Sequence, residues 1–331
     1  MTTTTPPEAS SGSDSGVLLT RLFSWVMLAV LIAFLANNFL THWAGLPGAR
    51  AVLGDGGALA ALQAALYAVM VALAVFFVTQ NGDQTLRQDS KRISDMNAFF
   101  IRAAFWAVVM IGVVDMIISF LRVEGLLPFV VGESLATELG KSQFRGPYVH
   151  FPLMLVGIAI ASVTRTLGFI WLALLVVFAE LLIVICRFIF SYEQAFMADL
   201  VRFWYAALFL FASAYTLLEE GHVRVDVFYA GMAPKTKGYV NAIGSLVLGV
   251  VLCWILLIYG MGSKSAVINS PLLSYEVTQA GFGMYVKYLM AGFLGIFAVS
   301  MMVQFISYFM DAVADVRGDP GGRDHDVHAV Q

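Results

Sequence analysis

Gly221-His222-Val223-Arg224-Val225-Asp226 sets three ionisable side chains at alternating positions, separated by valines. In an extended backbone His222, Arg224 and Asp226 point to one side and the valines to the other. Arg224 and Asp226 are then close enough for charge-assisted contacts, which give such a loop a reason to be ordered. Gly221 follows Glu219 and Glu220 and suits the residue just past a helix C-terminus. Asp226 has an alternative role as the N-cap of a short surface helix over 227–232, ended by Pro234. Alone, the charges of Arg224, Lys235 and Lys237 read as an ordinary basic connector on the inner side of a membrane.

Other ionisable residues lie inside apolar runs, where charge is costly and calls for a reading. Asp115 and Glu180 are the deepest acids. Glu180 and Arg187 are seven residues apart and share a helix face, and Asp115 and Arg122 repeat that spacing. One reading is a proton or ion relay. The other, favoured for helices without breaks, is a set of helix–helix contacts with the arginines reaching the interface. Of five histidines, His325 and His328 lie in the C-terminal tail, and His42 and His150 fall near span ends. A bis-histidine haem site is conceivable there, but neither sits well inside a helix, and interfacial polar anchors are the expectation. The two cysteines, Cys186 and Cys253, both lie in apolar runs. They are expected to pack, and they exclude a disulfide framework or a Cys-based zinc or iron–sulfur centre. No catalytic residue, cofactor or metal is expected.

The elements that position these residues are membrane helices. The chain is 60% hydrophobic and 12% charged, against roughly 25% charged in soluble domains. Mean hydropathy is +0.83. These values fix a polytopic membrane protein, and a net charge of −3 gives no footprint for nucleic acid. Eight apolar runs occur at 17–40, 58–78, 98–121, 149–164, 167–188, 200–218, 239–262 and 285–310. Most approach or exceed the ~20 residues that cross a hydrocarbon core of ~30 Å. In lipid such runs are helices, because the backbone must satisfy its own hydrogen bonds. The fold class is therefore all-α, a bundle of about eight transmembrane helices. The fourth run is the shortest, with Pro152 near its start and only Thr164-Arg165-Thr166 before the fifth. A tight helical hairpin is expected there.

Residues 1–16 are Ser/Thr/Pro-rich and 312–331 Gly/Asp/Arg/His-rich towards their end; both read as disordered tails. No signal peptide is expected, since no basic segment precedes the first apolar run. Basic residues set the orientation weakly. Loops carrying Arg87, Lys91 and Arg92, and Arg224, Lys235 and Lys237, fall on one side and mark it as cytoplasmic, with both termini. Arg122, Lys141 and Arg145 fall opposite. The two four-helix halves do not align as a repeat, and no matching pair of Gly/Pro-interrupted helices points to a midplane substrate site. Small residues in the last three runs, among them Ala207, Ala214, Gly244, Gly249 and Gly292, mark packing faces.

The order Gly221-His222-Val223-Arg224-Val225-Asp226 resembles the signature loop of the small membrane subunit of tripartite ATP-independent periplasmic (TRAP) transporters. In that family the loop joins the second and third of four spans. Arg187 closes the first family-like span, and Asn269-Ser270-Pro271-Leu272-Leu273 resembles the outer loop before the fourth. The family's Trp and Glu before the second span are replaced here by Phe196-Met197-Ala198-Asp199, with Asp199 in place of the acid. The resemblance covers about 167–309 and implies a division into a four-helix extension, 17–164, and a family-like domain, 165–311. It implies a scaffold that braces a separate large membrane subunit in the bacterial inner membrane. A periplasmic binding protein would deliver an organic acid or similar solute, and an ion gradient would drive uptake. Gly221, His222, Arg224, Asp226, Glu180 and Arg187 become structural or interface candidates, and lipid the surrounding partner. The alternatives are a membrane anchor or haem-bearing subunit of a redox complex, and a stand-alone secondary transporter; neither accounts for the loop. The extension receives no role beyond added membrane surface.

Overall fold

The computed structural model describes residues 15–165, 169–219, 227–277 and 283–322. Among these residues the regular structure is helical and there is no strand. Eight helices are long and apolar enough to span a membrane: α1 (Ser15–His42), α2 (Gly57–Gln80), α3 (Leu86–Val123), α4 (Ser142–Val163), α5 (Phe169–Phe190), α6 (Ala195–Leu218), α7 (Pro234–Met261) and α8 (Lys287–Arg317). The all-α, eight-span reading therefore holds. The expected tails are shorter than the sequence indicates, since residues 15–16 open α1 and 312–317 close α8; residues 1–14 and 323–331 lie outside the described residues, as do 166–168 of the tight hairpin.

Three boundaries differ from the hydropathy pattern, each for a physical reason. Helix α3 starts at Leu86, so Arg87, Lys91 and Arg92 are helical and not in a loop. Its polar first turns carry their partners with them, as described below. Helix α4 starts at Ser142 and passes through Pro147 and Pro152. Neither proline can donate a backbone hydrogen bond. The helix accommodates this stretch by widening to π-helical bonding over Gly146–His150, with the Phe151 N–H bonded to the Gly146 carbonyl. Helix α7 starts at Pro234, in its first turn, where a missing N–H costs nothing. Residues 227–231 form turns, so Pro234 opens a helix instead of closing one.

Contacts divide the chain into two compact units, one of residues 1–95, 223–252 and 302–331, the other of 96–222 and 253–301. In the first, α1 and α2 form a hairpin tied by Gln63. Its amide donates to Asn37 Oδ1 at 3.1 Å and Thr41 Oγ1 at 3.2 Å, and its carbonyl accepts from the Gly48 N–H at 2.8 Å. Arg21 of α1 pairs with Asp89 of α3 at 2.7 Å, and Trp25 Nε1 donates to the same carboxylate at 3.0 Å. A polar ladder joins α3 to α8. Arg87 meets Asp315 at 2.8 Å, Ser90 and Ser94 meet Ser307 at 2.9 and 2.7 Å, and Gln304 donates to Ser94 at 3.2 Å. The spacing of 87, 90 and 94 puts these α3 side chains on one helix face.

In the second unit α3, α5, α6 and α8 share a core. Phe105, Val108 and Ile111 of α3 join Leu172 and Val176 of α5, Phe203, Trp204 and Phe211 of α6, and Leu289 and Phe293 of α8 in it. Gly112 leaves room for the Trp204 indole, which a Cβ would meet at 2.3 Å. Gly157 of α4 lies against the Ala107 backbone, where a Cβ would stand 2.6 Å from the nitrogen. Asn97 donates across to the Ser300 carbonyl of α8 at 2.9 Å.

Candidate functional site

The second unit buries a charged network between membrane helices. Asp115 of α3 is fully buried and has no donor on its own helix turn; it draws three from other segments. Its Oδ1 accepts from Arg145 Nη1 at 2.8 Å and His150 Nε2 at 3.1 Å, and its Oδ2 from the Tyr285 N–H at 2.9 Å. Arg145 and His150 are also fully buried, and both belong to α4, Arg145 just before the widened turn and His150 at its end. Such π-helical turns shift side chains around the helix and recur where function fixes their direction. Tyr288 of α8 lies 2.7 Å from His150 Nδ1. The imidazole bonds Asp115 through Nε2 and the Tyr288 hydroxyl through Nδ1. Both ring nitrogens are then engaged, which leaves neither for haem iron.

Arg145 also donates from Nε to the Leu139 carbonyl at 2.5 Å and from Nη1 to Ser119 at 3.1 Å, while its Nη2 has no hydrogen-bond partner among the described residues. Its guanidinium carbon stands 4.3 Å from the Tyr285 ring centroid, and that of Arg122 stands 4.5 Å from it. Arg122 donates to the Tyr285 hydroxyl and, at 2.9 Å, to the Gly283 carbonyl. Tyr285 in turn donates to the Gly140 carbonyl at 2.8 Å. The network thus binds α3, the start of α4 and the entry to α8. A buried ion pair of this kind does not raise stability by its charge alone, because desolvation offsets the attraction. It does penalise any arrangement that separates the partners, and so it fixes register.

The residues singled out in the sequence have different fates. Gly221, His222, Arg224 and Asp226 lie outside the described residues. Glu180 is exposed on α5, and Arg187 pairs with Glu193 at 3.3 Å instead of with Glu180. Arg122 likewise turns to residues 283 and 285 and not to Asp115. Asp199 has a positioning role: Oδ2 accepts from the Met284 N–H at 3.1 Å, ahead of α8. Outside the spans, Tyr192 donates to Glu124 at 2.6 Å, and partial burial together with that carboxylate pushes its hydroxyl up to about 12. His150 is not the interfacial anchor its place in the sequence indicates. Sequence reasoning missed the Asp115–Arg145–His150–Tyr288 set because its members are up to 173 positions apart. The available signal was three ionisable residues in or beside apolar runs, each needing a partner. Among the described residues no group of three or more His, Cys, Asp or Glu side chains is placed to hold a metal ion.

Comparison with known proteins places the second half of the chain. Residues 173–315 match the family model described as "Tripartite ATP-independent periplasmic transporters, DctQ component". No curated protein and no solved structure matches the chain. The matched stretch runs from α5 to nearly the end of α8, and the additional apolar helices α1 to α4 precede it. Residues 173–315 are therefore similar to the DctQ component of these transporters, in a membrane protein whose additional apolar helices α1 to α4 precede the match.

Proposed function

We propose that this protein is the small membrane subunit of a TRAP transporter, bracing a separate large permease subunit in the bacterial inner membrane. In this reading a periplasmic binding protein delivers an organic acid or similar solute, and an ion gradient, sodium by resemblance to the family, drives its uptake through the large subunit. The observation that carries the reading is the match of α5 to α8 to the DctQ component. The buried Asp115 network supports a bracing role. Among the described residues its hydrogen-bonding groups are largely spent on one another, and Arg145 Nη2 is the buried side-chain atom of the set without a partner. The test is reconstitution. Uptake of an organic acid into liposomes should need this chain, the large subunit and the binding protein together. Uptake by this chain alone would overturn the scaffold role.

Orientation belongs to the same proposal. Both termini, the first turns of α3 and the 221–237 segment face the cytoplasm, supported by the basic residues gathered there. Labelling of intact cells, in a background lacking Cys186 and Cys253, should leave Thr236→Cys unmodified by an impermeant reagent. It should modify a cysteine introduced between 133 and 139. The reverse pattern would invert the orientation.

A further inference from the structure

We infer that the exposed face of α5 around Glu180 is where the large membrane subunit docks, through a membrane helix that offers Glu180 a donor at mid-depth. This rests on the small-subunit reading above. Glu180 lies near the middle of a 22-residue helix that is otherwise apolar up to Arg187. It is exposed, and none of the hydrogen bonds or ion pairs among the described residues includes it. A carboxyl at the centre of a span faces hydrocarbon unless another chain covers it, and ionisable groups there are retained where they meet a partner.

The surface beside it has the spacing of a helix seam. Ile170, Leu174, Val177, Leu181, Val184 and Phe188 alternate by four and three residues, and each is 50–85% exposed. That rhythm keeps one stripe facing a neighbour crossing at about +20°, the commonest packing of membrane helices. Glu180 immediately precedes Leu181 and flanks the stripe, where charged residues select the partner of a helix pair. The rhythm alone would say little on so apolar a helix. The flanking carboxyl decides the occupant. Lipid chains supply no hydrogen-bond donor at that depth. A second copy of this chain, docked in parallel on the same stripe, would bring a second Glu180 against the first. A helix of the large subunit carrying a basic or amide side chain at mid-span meets the requirement. Helix α5 also lies almost wholly inside the family segment, so its free face belongs to the family's assembly and not to the extension.

The test uses full-length chain co-expressed with the large subunit. A photocrosslinking residue at Val177, Leu181 or Phe188 should capture the large subunit. The same residue at Leu62 or Leu73, exposed positions of α2, should not. Glu180→Leu should lower the co-purified large subunit about ten-fold, the loss of one charge-assisted hydrogen bond, while Glu180→Gln keeps most of it. Because Glu180 is exposed, neither change should alter the melting of the chain alone. Capture from α2 but not α5, capture of only a second copy, or undiminished complex with Glu180→Leu would overturn the assignment. Failure of the unaltered chain to bring down any large subunit would overturn the small-subunit reading itself.

Discussion

Removing the Asp115 carboxylate leaves the Arg145 guanidinium fully buried beside a ring, a carbonyl and a hydroxyl, with no counter-charge. Breaking a buried pair from one side costs about 3–5 kcal/mol, whereas replacing both partners by apolar groups is often near neutral. Asp115→Leu should therefore lower the melting temperature in detergent sharply, and Asp115→Leu/Arg145→Met should recover a large part of the loss. Equal or additive losses would show that the two charges are not energetically coupled. Tyr288→Phe removes only the hydroxyl from His150 and should cost about 1 kcal/mol. The contrast with Glu180 explains what was legible at this scale. Hydropathy identifies both acids as intramembrane anomalies, but it carries no information on their surroundings. Asp115 is enclosed by donors from α4 and from the segment that leads into α8, and Glu180 by none among the described residues. Arg122 and Arg187 each find a partner beyond the helix end, at Gly283 and Glu193, as a long arginine near an interface does more readily than it reaches two turns back.

At the scale of elements, apolar run length locates the eight helices because the bilayer imposes it. It does not locate their ends. The polar start of α3 reads as a loop until its ladder to α8 is seen, and Pro147 and Pro152 hide the first turns of α4 until the widened helix accommodates them. Small residues are legible as a class but not individually. Gly157 and Gly244 look alike in sequence, yet a Cβ on Gly157 would press on the Ala107 backbone at 2.6 Å, and one on Gly244 would meet nothing within 4 Å. Gly157→Ala should force α4 away from α3 and cost about 1–3 kcal/mol, as overpacking does. Gly244→Ala keeps ordinary helical angles, φ −59° and ψ −45°, and should be neutral or stabilising by about 0.4–1 kcal/mol. Thermal unfolding of both variants in one detergent decides between a packing glycine and a tolerated one.

For the whole molecule the question is whether α1 to α4 are an appendage to the family segment or part of its fold. The sequence favours an appendage, since the resemblance starts near 167 and gives the extension no role. The contacts point the other way. In one unit α3 supplies the partners of Ser307, Gln304 and Asp315 on α8. In the other it supplies the partner of Ser300, the carboxylate that anchors Tyr285, and the apolar wall facing α5, α6 and α8. Single interhelical hydrogen bonds in membranes average only about 0.6 kcal/mol. No one of them would hold the helices together, but deleting α3 removes all of them and the core packing at once. A chain of residues 165–331 expressed alone should therefore aggregate or be degraded. Co-expressed with residues 1–165 as a separate chain, it should be recovered as a stable pair, because the contacts that join α3 to the later helices do not depend on the connecting peptide. Size-exclusion chromatography of the tagged C-terminal fragment, with and without its companion, reads the outcome. A monodisperse fragment that captures the large subunit as well as the full chain does would make the extension an appendage. Recovery only as the pair would make α3 the central helix of a fold that the family segment does not complete by itself.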